Sequence, residues 1–234
     1  MTNREIHDFF RAAGMTEEGT DGFMGNLASE SAMNPQNVED RSGLRDEDYT
    51  FRVDNDPSYD FCTDYGAYYG YGYAQWTDSK RKSKLLAFAR SRGKSIGDPL
   101  MQLQFSVLEL QNDFPTIFNT LCTSHDLYEC TKLVCEKYEI PAIPNVGDRY
   151  ELAKKFYNEF AVNGSSEAEH DAVTNSNVNK PTPATRSDAG IKAAVIVMQM
   201  IMSYAGYWGA VTGERSPEFF EALHTFTADL EKAQ

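Results

Sequence analysis

The chain has 234 residues, 41% hydrophobic, 24% charged and 12% aromatic. It is long enough to bury a core without disulfide or metal staples, and its composition is unlike that of disordered, collagen-like or multi-span membrane proteins. Twenty-two lysines and arginines against 35 aspartates and glutamates leave a net charge of -13. That is the wrong sign for a protein whose affinity comes from neutralising phosphates, which excludes nucleic acid as the expected partner. Cys62, Cys122, Cys130 and Cys135 form no C-x-x-C pair and read as reduced thiols filling the core. Met1 to Glu5 lack the basic and apolar regions of a secretory signal.

In chain order, Thr2 and Glu5 make a capping box ahead of Ile6, Phe9 and Phe10, with Gly14 placed for a helix C-terminus. Phe23, Met24, Leu27 and Ser31 recur at helical spacing and predict a second helix from about Thr20 to Met33, stopped by Asn34-Pro35. Glu30, near its end, points within about 20° of Phe23 on a helical wheel. A carboxyl at the edge of an apolar stripe is poorly solvated when charged, which raises its pKa and suits a general acid; the alternative is a partly exposed glutamate at a helix end. From Gln36 to Thr77 there is no helical period, and the many aromatics predict a small irregular sheet or long loops.

Helices return over Ser79 to Arg92, closed by Gly93, and from Asp98-Pro99 through Leu110. Two more are predicted over about Ser124 to Glu139 and about Gly147 to Ala161, the last with Tyr150, Ala153, Tyr157 and Phe160 on one face. The basic residues of the third helix, Lys80, Arg81, Lys82, Lys84, Arg90 and Arg92, read as a solvated face that guides an anionic polymer. Residues 163–187 have the polar composition of a linker, giving a first domain over 1–162 and a small three-helix module over 188–234. Within that module Ile191 to Val211 approaches the roughly 20 residues a bilayer span needs. Lys192, Gln199, Ser203, Gly206 and Gly209 interrupt it, so it reads as the module's central helix and no membrane span is expected.

Two segments concentrate chemistry. One is Glu30-Ser31-Ala32-Met33-Asn34-Pro35, and the other is Tyr69-Gly70-Tyr71-Gly72-Tyr73-Ala74-Gln75-Trp76-Thr77. Glycines alternating with tyrosines let backbone approach a ligand between rings, and an amide, an indole and a hydroxyl complement the faces and edges of a sugar. An aromatic minicore under a loop is the alternative for the tyrosines taken singly. His7, His125, His170 and His224 show no zinc-ligand spacing, so neither metal nor cofactor is expected. Cys122 and His125 are the nearest thiol and imidazole pair, and both read as packing and polar surface.

These motifs resemble the lysozyme superfamily, in particular the phage tail-type lysozymes, and more distantly goose-type lysozymes and soluble lytic transglycosylases. The similarity continues in Met101 to Leu110, Phe114-Pro115 and Tyr138-Glu139-Ile140-Pro141-Ala142, and covers about Ile6 to Phe160. It implies a mainly α, lysozyme-like α+β fold with a helical body and a small irregular lobe. It also implies cleavage of the β-1,4 bond between N-acetylmuramic acid and N-acetylglucosamine in peptidoglycan. Under that resemblance Glu30 is the catalytic acid, and Ser31, Tyr71, Gln75, Trp76, Thr77 and Tyr138 are expected to bind substrate.

Glycoside hydrolysis usually needs a second carboxyl. The candidates are Asp54, Asp56, Asp60, Asp64 and Asp78. Asp64 ranks first by its nearness to the glycine turn, and Asp78 reads as a helix cap. Without a second carboxyl, Thr77 would position water or the substrate would assist, as in lytic transglycosylases.

The C-terminal order Gly206-Tyr207-Trp208-Gly209 through Phe226 resembles three-helix peptidoglycan-binding modules, with Thr212 where that family often has aspartate. Together the resemblances describe a monomeric phage or prophage endolysin, made in the host cytoplasm without a signal peptide and reaching the wall by export or holin-type release. A non-catalytic wall-binding protein and a membrane-tethered one are the rival classes.

Overall fold

The structure, a computed structural model, describes residues 1–162 and 220–225. The linker over 163–187 and, apart from the helical 220–225, the module over 188–234 lie outside the described residues, as does the apolar run from Ile191 to Val211. Among the described residues no helix is long and apolar enough to cross a membrane.

The chain packs as two units: Met1 with Met15–Glu159, and Thr2–Gly14 with the described residues from Phe160. In the second unit, helix α1 (Asn3–Ala12) begins at the expected capping box. Thr2 Oγ1 accepts from the Glu5 amide at 3.2 Å, while Glu5 accepts from the Thr2 amide at 2.8 Å. Gly14 takes the left-handed conformation, φ 100°, just past its end. The Arg4 guanidinium lies 4.4 Å over the Phe160 ring, and the His7 ring packs 4.6 Å from it.

The first unit is built around α2 (Glu17–Ser31), capped by Thr16 and buried on nearly every side from Gly19 to Leu27. Against it pack α6 (Pro115–Thr123), α7 (Leu127–Val134) and α8 (Val146–Tyr157), with α5 (Pro99–Asp113) on α6 and α4 (Ser79–Ser91) on α5; in the chain, α3 (Asp46–Asn55) lies in the lobe between α2 and α4. Three glycines spaced by three residues let α2 touch three partners. A side chain on Gly19 would meet the Leu121 backbone of α6. One on Gly22 would lie 2.9 Å from Cys130 Cβ of α7, and one on Gly25 2.7 Å from the Arg149 carbonyl of α8. A helix surrounded on all sides loses the one-sided apolar stripe that marks a surface helix.

Most predicted helices stand, and the differences have physical causes. Helix α2 starts earlier than expected because Thr16, not a residue near Thr20, supplies the cap. Helices α4 and α5 begin where Asp78 and Asp98 accept backbone amides. The helix expected to run to Glu139 is α only to Val134. It then widens into a π turn, Cys135–Glu139, closed by the Ile140 amide on the Cys135 carbonyl at 2.9 Å. Helix α6, opened by Pro115, had not been anticipated as an element.

Of the sheet and the long loops expected over 36–77, the structure has the loops, with one helix that was not expected. The lobe holds one isolated antiparallel bridge, Val38 to Tyr71, two 3-10 turns and helix α3. The aromatics that read as strand formers instead make a small core. Tyr49 lies 5.3 Å from Tyr71 and 6.3 Å from Phe61.

Gly25→Ala should lower stability by about 1–3 kcal/mol, the range for forcing a methyl group into a packed contact. Gly147→Ala, where the nearest atom is 4.0 Å away, should stay within about 0.5 kcal/mol of the parent. Thermal unfolding followed by circular dichroism checks both.

Candidate active site

The two sequence motifs meet because the loop leaving α2 pairs with the glycine turn. The Gly72 amide donates to the Asn37 carbonyl at 2.8 Å and the Glu39 amide to the Gly70 carbonyl at 2.9 Å. Gln102, on α5 and fully buried, braces both sides. Its Nε2 donates to the Pro35 and Ile96 carbonyls at 2.6 Å, and its Oε1 accepts from the Tyr73 amide at 2.9 Å. The residues flanking these anchors are bent sharply, with Ala32 (φ 50°), Met33 (φ 61°) and Gln75 (φ 43°) all left-handed. Such conformations in non-glycine residues concentrate at functional sites.

Glu30 projects from the last turn of α2 with 17% of its side chain exposed, and its Oε1 accepts from Arg149 Nη2 at 2.5 Å. The environment is not the isolated apolar stripe that the helical wheel implied. Arg149 is itself buried on α8, and its Nη1 donates to Asn26 Oδ1 at 3.2 Å. Asn26 in turn donates to the Gly22 and Thr131 carbonyls. The Glu30 carboxyl is therefore fixed by a chain that ends in the backbones of two helices. It keeps one edge open to solvent.

A second carboxyl stands in the same field. Glu139 closes the π turn, its Oε1 is buried without a hydrogen-bond partner, and the Nε of Arg149 is likewise buried without one. Burial, and next the charge of Glu30, push Glu139 well above the ordinary carboxylate range, while Arg81 and Arg149 pull it the other way. Neither Arg149 nor Glu139 was singled out from the sequence as a functional residue. Glu139 lay inside the quoted Tyr138-to-Ala142 motif. Arg149 had a signal too, a basic residue at helical spacing from the buried Ala153 and Phe156.

Beside Glu139, Tyr138 is fully buried and its hydroxyl donates to Glu109 Oε2 at 2.8 Å. Trp76 Nε1 donates to the same oxygen at 3.1 Å, and Arg81 grips Glu109 through Nε and Nη2, both at 2.8 Å. Burial alone would lower the Arg81 pKa, but the bonded Glu109 raises it, so the guanidinium stays charged. Trp76 and Tyr138 are thus struts, not the sugar-facing rings expected of them. Tyr71 is also core, hydrogen-bonded to Thr50 at 2.6 Å, and Ser31 Oγ is buried on the Leu27 carbonyl of its own helix.

Gln75 keeps partial exposure but spends its amide donor on Asn37 and the Gly72 carbonyl, and Thr77 is exposed with its hydroxyl on the Gln75 carbonyl. The rings that do face outward in the lobe are Phe51, Tyr65 and Tyr68, with Tyr65 72% exposed.

Asp64 was expected as the second carboxylate, and its surroundings assign it elsewhere. It is enclosed with Lys82 at 2.5 Å, each side chain fully buried, and accepts from the Tyr49 and Tyr59 hydroxyls and the Tyr69 amide. Every bonding direction is taken by the protein's own groups, which leaves none for a substrate. Burial holds Lys82 below the usual lysine range, with the bond to Asp64 acting in the opposite sense. Lys82 and the largely buried Arg81 therefore leave the basic face predicted for α4, whose remaining lysines and arginines stay toward solvent. Asp78 is the helix cap, as expected. The four cysteines are free, and exposed His125 pairs with Glu18 at 3.2 Å, away from any thiol bond.

Glu30 thus stands partly exposed at the end of a central helix, held by Arg149, and the family model of the phage tail lysozymes matches residues 1–160. The chain belongs to that family. Its fold is lysozyme-like and mainly α, and the family's lysozyme-like lytic activity makes peptidoglycan the substrate class. No curated protein matches the chain.

Asp64→Asn should unfold at markedly lower urea, with a loss of roughly 3–5 kcal/mol, because it strands the buried Lys82 ammonium. The surviving folded fraction should keep its wall-lytic rate per folded molecule. A normal stability with lost lysis would instead make Asp64 part of the chemistry.

Proposed function

We propose that this phage tail lysozyme is a muramidase that cleaves the N-acetylmuramic acid to N-acetylglucosamine β-1,4 bond with Glu30 as its acid. The observation that carries this reading is the position of Glu30, one edge open to solvent and the other fixed by Arg149. The proton passes to the glycosidic oxygen as its bond to the anomeric carbon breaks, and the bonding electron pair leaves with that oxygen. Water then bonds to the anomeric carbon and returns a proton to the carboxyl, so the enzyme is regenerated. A fixed carboxyl is positioned for this without reorganisation in the reacting complex.

The lytic transglycosylase reading has one observation in its favour. Asp64 is occupied by Lys82, so the lobe aspartate ranked first is not free to act as base. In that reaction the muramic acid's own hydroxyl replaces water, giving an anhydro ring.

Glu30→Gln keeps shape and hydrogen bonding but has no proton to give, so wall lysis should fall by about two orders of magnitude with the fold retained. Mass spectrometry of the digest separates the two outcomes, since hydrolysis adds water and leaves a reducing end whereas transglycosylation leaves the anhydro product. Wild-type-like lysis by Glu30→Gln overturns the assignment of the acid.

The C-terminal segment supports a second proposal, resting on its sequence alone: residues 188–234 bind the wall and hold the enzyme near it through the linker. The same reading makes the protein an endolysin that acts on the wall after release from the host cytoplasm. The isolated segment 187–234 should pellet with purified walls and cut nothing. If it stays in the supernatant, the module has another ligand or none.

A further inference from the structure

The π turn ends in two adjoining irregularities. Ile140 is a β-branched residue at φ 49° and ψ 50°, a left-handed conformation that its side chain disfavours. It is also exposed, so no packing of its own side chain explains the strain. The residue before it is Glu139, the last of the π turn, which the wider turn aims differently from an α-helical continuation. π turns and strained residues recur where a side chain must be placed for function.

The charged groups that act on Glu139 are Glu30 on α2, Arg81 on α4, Glu109 on α5 and Arg149 on α8, and its own turn adds the Cys135 thiol. Arg81 is already bound to Glu109 through Nε and Nη2, and its Nη1 donates to the Tyr138 carbonyl at 3.1 Å. Arg149 has its Nη2 on Glu30 and its Nη1 on Asn26. Both guanidiniums are thus committed to other partners, and Glu139 Oε1 accepts from neither. With Oε1 buried and unbonded and the Glu30 charge acting on it, an ionised Glu139 is a costly arrangement; a neutral carboxyl there is less so.

We propose that Glu139 is the proton-holding partner of Glu30: in the resting enzyme the two carboxyls carry one proton between them, held on Glu139, and Glu30 draws on it when the glycosidic oxygen is protonated. This rests on Glu30 being the acid of the reaction. With one proton the pair bears a single negative charge, which Arg149 neutralises; with none it bears two beside the same guanidinium. The pair titrates as a unit. Burial and the Glu30 charge, which raise Glu139, favour keeping the proton in the pair above the ordinary carboxylate range. Glu139 acts through Glu30 and is a positioning residue.

The test is the pH dependence of kcat/KM for the full chain on purified soluble glycan strands, for the parent and for Glu139→Gln. With its partner uncharged and unable to supply a proton, Glu30 must hold its own proton against Arg149. The alkaline limb should therefore move down by about one pH unit or more, while the acid-side rate falls by less than about tenfold. An unmoved alkaline limb overturns the proposal. So does a loss of about a hundredfold or more at every pH in a folded variant, which would make Glu139 a donor in its own right. Glu30→Gln separates this from failure of the underlying reading, because full activity in that variant removes the acid itself.

If Glu139→Gln does not fold, the carbonyl-stretch infrared band of a protonated carboxyl serves instead. It should persist at neutral pH in the parent and disappear at lower pH in Glu30→Gln, where the neighbouring charge is gone. A parent without the band at neutral pH, or a band whose titration is the same in both proteins, overturns the proposal.

Discussion

The buried carboxylate of Glu109 organises the body around the site. It sits in the C-terminal half of α5, 2% exposed, and receives four hydrogen bonds from three different segments. Trp76 brings the glycine turn, Tyr138 the π turn and Arg81 the first part of α4. Arg81 then stacks 4.5 Å from the Tyr138 ring and 5.5 Å from Phe114, so one guanidinium both neutralises the carboxylate and packs against the aromatics it positions. An ion pair of this kind tolerates no half measures, because removing one partner leaves the other charged and dry. The elements that flank Glu30 therefore share a single constraint, and the turn carrying Glu139 cannot shift without disturbing the turn carrying Trp76.

Two other ion pairs set into the interior have opposite uses. Lys82 and Asp64, at 2.5 Å, are enclosed and ringed by tyrosine hydroxyls, which makes them a pin for the lobe. Arg149 and Glu30, also at 2.5 Å, lie where the enclosed network stops. One carboxylate edge there reaches solvent, and two neighbouring buried atoms, Arg149 Nε and Glu139 Oε1, lack partners. Satisfied buried charges give rigidity, whereas incompletely satisfied ones at an opening are available for reaction. The aromatic wealth of the lobe follows the same division. Tyr49, Phe61, Tyr71 and Trp76 are core, and Phe51, Tyr65 and Tyr68 remain outside.

Local rules were legible wherever partner and signal lie within a few residues. The capping box of Thr2 and Glu5, the caps at Asp78 and Asp98, the proline that opens α5 and the left-handed Gly14 all formed as read. So did the helical spacing of Phe23, Met24, Leu27 and Ser31, all buried on α2. Helix α3 escaped because it buries only Tyr49, Thr50 and Val53, and its β-favouring aromatics obscured so short a period. Its acidic first turn, Asp46 to Asp48, was the signal available, since negative charge there complements the helix dipole.

Glu30 could be proposed from the sequence because its helix and its motif are contiguous. Its partner could not: Arg149 lies 119 residues away, and only the close approach of α2 to α8 at Gly25 brings them together. Asp64 looked like a site residue because it is near the glycine turn in the chain, until folding placed the Lys82 ammonium on it. Trp76 and Tyr138 looked like sugar platforms for their chemistry alone, and burial against Glu109 made them supports. The sequence by itself determined most of the helices and the family and pointed to one carboxyl, all of which depend on neighbours in the chain. Which acidic groups are neutralised, which are enclosed and which face an opening was decided by the tertiary structure, because those states depend on charges and solvent brought near only by packing.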